Sequence, residues 1–157
     1  MIEQLQDFTS SLPDLLQWVG VMLAAAIPFV ESYFGSIIGV LAGINPVIAI
    51  AAAIVGNVVS MLIFVLSAHG VRAKAIQGKE PKPLSPRKEK LRQRFDKYGV
   101  AGVSLLGQTV LPSQITSAAM VSFGAPKNVV ILWQVISIII WGVVFGVLAS
   151  LGVSTLA

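Results

Sequence analysis

The sequence predicts an all-α integral membrane protein built as two inverted repeats. Each repeat is a re-entrant helical hairpin broken at proline and followed by a transmembrane helix. Three observations carry this. The 157 residues are 55% hydrophobic and 11% charged, with a mean hydropathy of +0.85, far from the balance of a soluble domain. Two apolar stretches are cut near their middles, at Pro28 and Pro112, and each leads through an X-Pro turn into an unbroken apolar run. The positive charge is gathered into one loop.

The same composition sets exclusions. Cysteine is absent and histidine occurs once, which removes disulfides, thiol chemistry and any Cys-based metal site. No phosphate-binding glycine loop and no Ser/His/Asp set is present, so the expectation is a non-enzyme without metal or cofactor. The net charge of +4 does not indicate nucleic acid. Ten basic residues and three acids lie between Arg72 and Lys97, and only Lys127 is basic elsewhere. A basic loop between apolar segments marks the cytoplasmic side of a membrane.

The chain is expected to form a single membrane domain, 1–157. Residues 1–14 begin with Ile2, Leu5, Phe8 and Leu12 at helical spacing among polar residues, which suits a short amphipathic helix on the membrane. No Lys or Arg precedes the first apolar run, so a mature chain starting near Met1 is expected. Residues 15–44 form the first hairpin, broken at Pro28, and Asn45-Pro46 is a turn. Residues 47–70 contain 22 consecutive apolar or small residues from Val47 to Ala68, enough to cross a bilayer at about 20 residues per span.

Residues 71–99 form the basic cytoplasmic loop. It is irregular through Gly78-Lys79-Glu80-Pro81-Lys82-Pro83, then helical from the Ser85-Pro86 start to Gly99. That helix carries Leu91, Phe95 and Tyr98 on one face with Arg and Lys on the rest, a pattern that serves either to orient the protein or to contact anionic lipid. Residues 100–125 form the second hairpin, broken at Pro112, and Ala125-Pro126 is its turn. Residues 128–153 form the second transmembrane helix.

The hairpin arms flanking the prolines are too short to cross a hydrocarbon core of about 30 Å. If every apolar stretch crossed, four spans would leave Lys127 outside. If the proline stretches are re-entrant, every Lys and Arg is cytoplasmic, in accord with the positive-inside rule. The halves are then inverted, as in many transporters with sites at the midplane.

Glu31, one turn past Pro28, is the main candidate for chemistry. Irregular backbone at membrane depth requires protein or a polar cavity beside it. Desolvation disfavours a charged carboxyl, and no Lys or Arg falls in the apolar segments around it. Glu31 is therefore a candidate for proton exchange or cation binding, against the alternative of a structural acid at a helix break. Tyr33 and the neighbouring aromatics add candidate cation–π contacts.

The second break offers Gln108, Ser113 and Gln114 around Pro112, which either bind a substrate headgroup or satisfy backbone freed by the proline. Asn57 and Ser60 on the first long helix are placed toward the same interior. His69 is expected at the membrane interface. Gly35, Gly39 and Gly43, and Gly142, Gly146 and Ser150, are four residues apart and predict close helix packing within the fold or at a homodimer contact.

Ala26-Ile27-Pro28-Phe29-Val30-Glu31, the Gly56-Asn57 pair, the segment from Tyr98-Gly99 to Gly124-Ala125-Pro126-Lys127 and the closing apolar span resemble the small multidrug export protein family, related to the DedA/VTT group of re-entrant membrane proteins. The resemblance covers about residues 20–150. It implies a multi-pass bacterial inner-membrane protein with opposed re-entrant hairpins that exports small amphiphilic or cationic molecules, with membrane lipids as further partners. DedA relatives carry arginines beside the second proline and are linked to lipid-carrier translocation. This chain has Gln108 and Gln114 there, which weakens any carry-over of phosphate-headgroup binding. A lipid flippase and a scaffold recruiting partners through the basic loop are the alternative readings.

Overall fold

The structure, a computed structural model, describes residues 1–76 and 85–156. The predicted irregular segment 78–83 lies outside the described residues, as do the side chains of Leu91, Phe95 and Tyr98 and most of the basic side chains on the 86–98 helix. The described residues are helical, without a strand, in the order α1 (Ile2–Ser11), a 3-10 turn (Asp14–Leu16), α2 (Gln17–Ala25), α3 (Glu31–Leu41), α4 (Pro46–Ile76), α5 (Pro86–Gly107), α6 (Ser113–Ser122) and α7 (Lys127–Leu156). Two helices are long and apolar enough to cross a membrane. These are α4 and α7, whose most apolar windows have mean hydropathies of 2.5 and 2.4. At 31 and 30 residues they reach about 45 Å, longer than the hydrocarbon core.

The chain divides into two compact units. Unit 1 comprises Met1–Ser60 and Ser137–Ala157, and unit 2 comprises Met61–Ile136.

Unit 1 is organised around a helical hairpin. Pro28 has no N–H and disfavours helix in the residue before it, and α2 stops at Ala25. The chain turns through Ile27, whose carbonyl accepts the N–H groups of Val30 and Glu31. The arms α2 and α3 then pack antiparallel. A Cβ added to Gly35 would lie 2.6 Å from Ala25 Cβ, and one on Gly39 would lie 3.0 Å from Val21 Cγ2. With 9 and 11 residues, the arms are about 14 and 17 Å long. The apolar face of α1 covers this hairpin, with Ile2 and Leu5 packed against Ala24, Val30 and Ile38.

Small residues let α4 and α7 close on the hairpin. The α3 glycines meet Ala53 and Ala49 of α4, and a Cβ on Gly56 would lie 2.0 Å from the Met22 carbonyl oxygen. Gly142 and Gly146 of α7 sit over Ser32 and Ser36 of α3, and over Ile54 and Ile50 of α4. The predicted four-residue spacing is therefore used inside unit 1, with one correction. Gly43 (φ 82°) meets nothing a Cβ would touch. It closes α3 in a Schellman turn, in which Ile44 N–H donates to Gly39 O and Gly43 N–H to Val40 O.

In unit 2, α6 folds back on α5, with the Thr116 methyl 3.2 Å from where a Gly107 Cβ would be. Gly124 (φ 107°) closes α6 as Gly43 closes α3, with Ala125 N–H donating to Met120 O and Gly124 N–H to Val121 O. The Arg72 guanidinium rests beside Gly124, Nη2 being 3.0 Å from its would-be Cβ. A cation there complements the negative end of α6.

One boundary differs from the sequence expectation. The first long helix continues to Ile76, six residues into the stretch assigned to the basic loop, because Arg and Lys are good helix formers and suit a helix C-terminus. The boundary expected at Gly99 is present: the helix from Pro86 breaks there (φ 66°, ψ −179°), and a second helical segment runs on to Gly107.

Candidate functional site

In unit 1, Glu31 is fully buried at the first turn of α3. Phe29 (φ 74°) and Glu31 (φ 53°) both take left-handed backbone, a conformation that costs a non-glycine residue about 1–2 kcal/mol. Such strain persists where surrounding packing fixes it, often at working sites. Pro28 forces the turn that creates it. The α3–α4 register pairs Gly35 with Ala53 and Gly39 with Ala49. One turn further along the same two faces stand Glu31 and Asn57, both fully buried.

Aromatic rings flank this end of α3. Tyr33 lies 4.8 Å from Phe34 and 5.7 Å from Phe145 between ring centroids, and Trp141 lies 5.8 Å from Phe145. The Tyr33 hydroxyl donates to Phe29 O at 3.3 Å, which ties the ring to the break. Phe145 was not singled out in the sequence, since a lone phenylalanine in an apolar run has no distinguishing signal.

Ser60 is buried on α4. Its hydroxyl donates to Ala26 O at 2.8 Å and so satisfies a carbonyl at the C-terminal end of α2, where the helix has been broken. Ser32 donates to Ile138 O at 2.8 Å and anchors α3 to α7. Ser32, Ser36 and Ser137 are buried polar positions that the sequence reading did not select. The available clue was the match of Ser32 and Ser36 in spacing to Gly142 and Gly146. A groove of about 310 Å³ runs outside unit 1 between Trp18 and Met22 of α2 and Val47, Ile48 and Val55 of α4. Glu31 does not line it.

In unit 2, Gln108, Ser113 and Gln114 are all buried around the second break, and Pro112 is the N-cap of α6. Several hydroxyls here return to local backbone or neighbours. Ser117 donates to Gln114 O at 3.1 Å, Thr116 to Leu111 O at 3.5 Å and Ser113 to Gln114 Oε1 at 3.5 Å. Gln108 and Gln134 are different. They are 5% and 0% exposed, and neither amide nitrogen nor oxygen has a hydrogen-bond partner among the described residues. Each such group costs about 1–3 kcal/mol. Gln134 was missed in the sequence because a single amide in a long apolar helix has no period. His69 is exposed and lies outside the interior of unit 2.

No three or more His, Cys, Asp or Glu side chains gather as a metal site among the described residues. No protein-family profile, curated protein or solved structure matches the chain.

Proposed function

We propose that the protein is a small secondary transporter of a bacterial inner membrane that exchanges protons for lipophilic or cationic small molecules at Glu31. The observation that carries this reading is a fully buried carboxyl in left-handed backbone at the break of a helical hairpin. Protonated, such a group is tolerated in an apolar interior. Ionised, it requires a compensating cation. A proton and an organic cation thus compete for one site, and coupled exchange follows from that competition. The rings of Tyr33, Phe34, Trp141 and Phe145 offer faces to the apolar part of such a cation.

In this reading both hairpins are re-entrant and inverted, with α4 and α7 crossing the membrane. Support comes from their short arms and from what their turns carry. The breaks expose apolar residues, with Phe29 57% and Val110 64% exposed. Water-facing turns favour polar residues instead, and Asn45 at the other end of the first hairpin caps α4 by accepting the Val47 N–H at 3.0 Å. Asn57 and Ser137, each eleven residues past its turn proline, are both buried, as a repeat would require. The basic stretch then lies in the cytoplasm.

The test is proton-driven uptake of tetraphenylphosphonium into proteoliposomes. Glu31→Gln is expected to abolish coupling while the protein still folds, and unchanged coupled transport refutes the reading.

A further inference from the structure

Unit 2 holds polarity of another kind from that at Glu31. Every polar side chain recorded as buried there is neutral: Ser104, Gln108, Ser113, Gln114, Thr116, Ser117 and Gln134. Short hydroxyls can fold back onto a carbonyl of their own turn, as Ser117 does. Among the described residues Gln108 and Gln134 keep both amide atoms without protein partners, and Gln134 does so on a helix whose most apolar window has a mean hydropathy of 2.4. A leucine or methionine would fill such a position without the desolvation penalty.

We propose that Gln108 and Gln134 are points at which unit 2 admits a small uncharged molecule that both donates and accepts hydrogen bonds, namely water or the hydroxyl or amide group of a ligand. The amide chemistry selects this class. Each glutamine presents one acceptor oxygen and two N–H donors. An anion, which only accepts, leaves the oxygen unmet. A cation, which only donates, leaves the N–H groups unmet. No acid or base is recorded as buried in unit 2, so nothing described in its interior offsets either charge. This inference concerns unit 2 alone and does not depend on the transport reading.

The absence of native cysteine allows a direct test. Gln108→Cys and Gln134→Cys are made singly, reconstituted in proteoliposomes and exposed to the small uncharged reagent methyl methanethiosulfonate. Val65→Cys and Val130→Cys, at positions equally buried in unit 2, serve as dry references. Reaction at least about tenfold faster at 108 and 134 than at 65 and 130 is expected, since only hydrated thiols ionise and react readily. Equal rates overturn the proposal.

Glycerol and N-methylurea, added as neutral probes, separate the two sources. Slowed labelling identifies a ligand site, and unslowed labelling identifies water; both uphold the proposed chemistry. If the cysteine variants do not fold, Gln134→Leu is measured instead. A melting temperature within about 2 °C of the parent supports an amide already satisfied by a guest. A rise of about 5 °C or more indicates a dry, unsatisfied amide and overturns the proposal.

Discussion

At the break of the first hairpin the backbone turns left-handed at Phe29 and Glu31, and a carboxyl is buried beside it. At the second break, Pro112 has φ −54° and ψ 144° and starts α6 directly, and the buried side chains are amides and hydroxyls. The hairpins otherwise share a plan, from the proline break to the Schellman glycine and the X-Pro turn. Unit 1 contains Glu3, Asp7, Asp14 and Glu31 but no Lys, Arg or His, whereas every basic residue of the chain lies in unit 2. A helical hairpin broken at proline can therefore carry a buried acid and strain in one unit and neutral hydrogen bonding in the other. The difference lies in the side chains placed at the break.

The packing of the two hairpins differs as sharply. Gly56 touches the Met22 backbone, so Gly56→Val drives a methyl-bearing carbon into a carbonyl that cannot move aside. Loss of folded protein is expected, read as absence of a monodisperse peak after detergent extraction. In unit 2, Gly107→Ala meets no atom nearer than the Thr116 methyl at 3.2 Å and is expected to fold with a melting temperature within a few degrees of the parent. Equal damage from both would erase the contrast.

Next in size, Gly99→Ala places a side chain in a backbone region that is essentially glycine-only. It should cost about 1–3 kcal/mol, measured by thermal unfolding. A smaller pair sharpens the comparison again. Ser32→Ala removes a buried bond from α3 to α7 and should cost about 1 kcal/mol. Ser117→Ala removes a hydroxyl bonded within its own helix and should cost less than half as much.

The breaks at Pro28 and Pro112, the X-Pro turns and the two long apolar helices were legible in the sequence because proline and hydropathy act locally. Glu31 was legible because one acid in an apolar run stands out. The uses of Gly43 and Ser60 were not. Whether a glycine serves packing or a turn depends on its φ, and Ser60 bonds a carbonyl 34 residues away. Gln134 was hidden for a similar reason, since its significance lies in burial without partners, a property of tertiary structure. The end of α4 differs because the apolar run stops near His69-Gly70 while the helix continues through Arg72 and Lys74 to Ile76.

Reversing the sidedness of the chain would dissolve the opposed-hairpin reading. Single cysteines at positions 10, 75, 127 and 154 report it. Re-entrant hairpins predict 10 and 154 outside with 75 and 127 inside. Four full spans predict 10 and 154 inside with 127 outside.

The exchange at Glu31 itself is tested most directly by proton release on binding. Tetraphenylphosphonium is added to purified protein in weakly buffered detergent solution below neutral pH. Release of about one proton per cation bound, lost together with most of the binding in Glu31→Gln, is the predicted result. Cation binding that survives in Glu31→Gln and releases no proton in either protein would contradict the account.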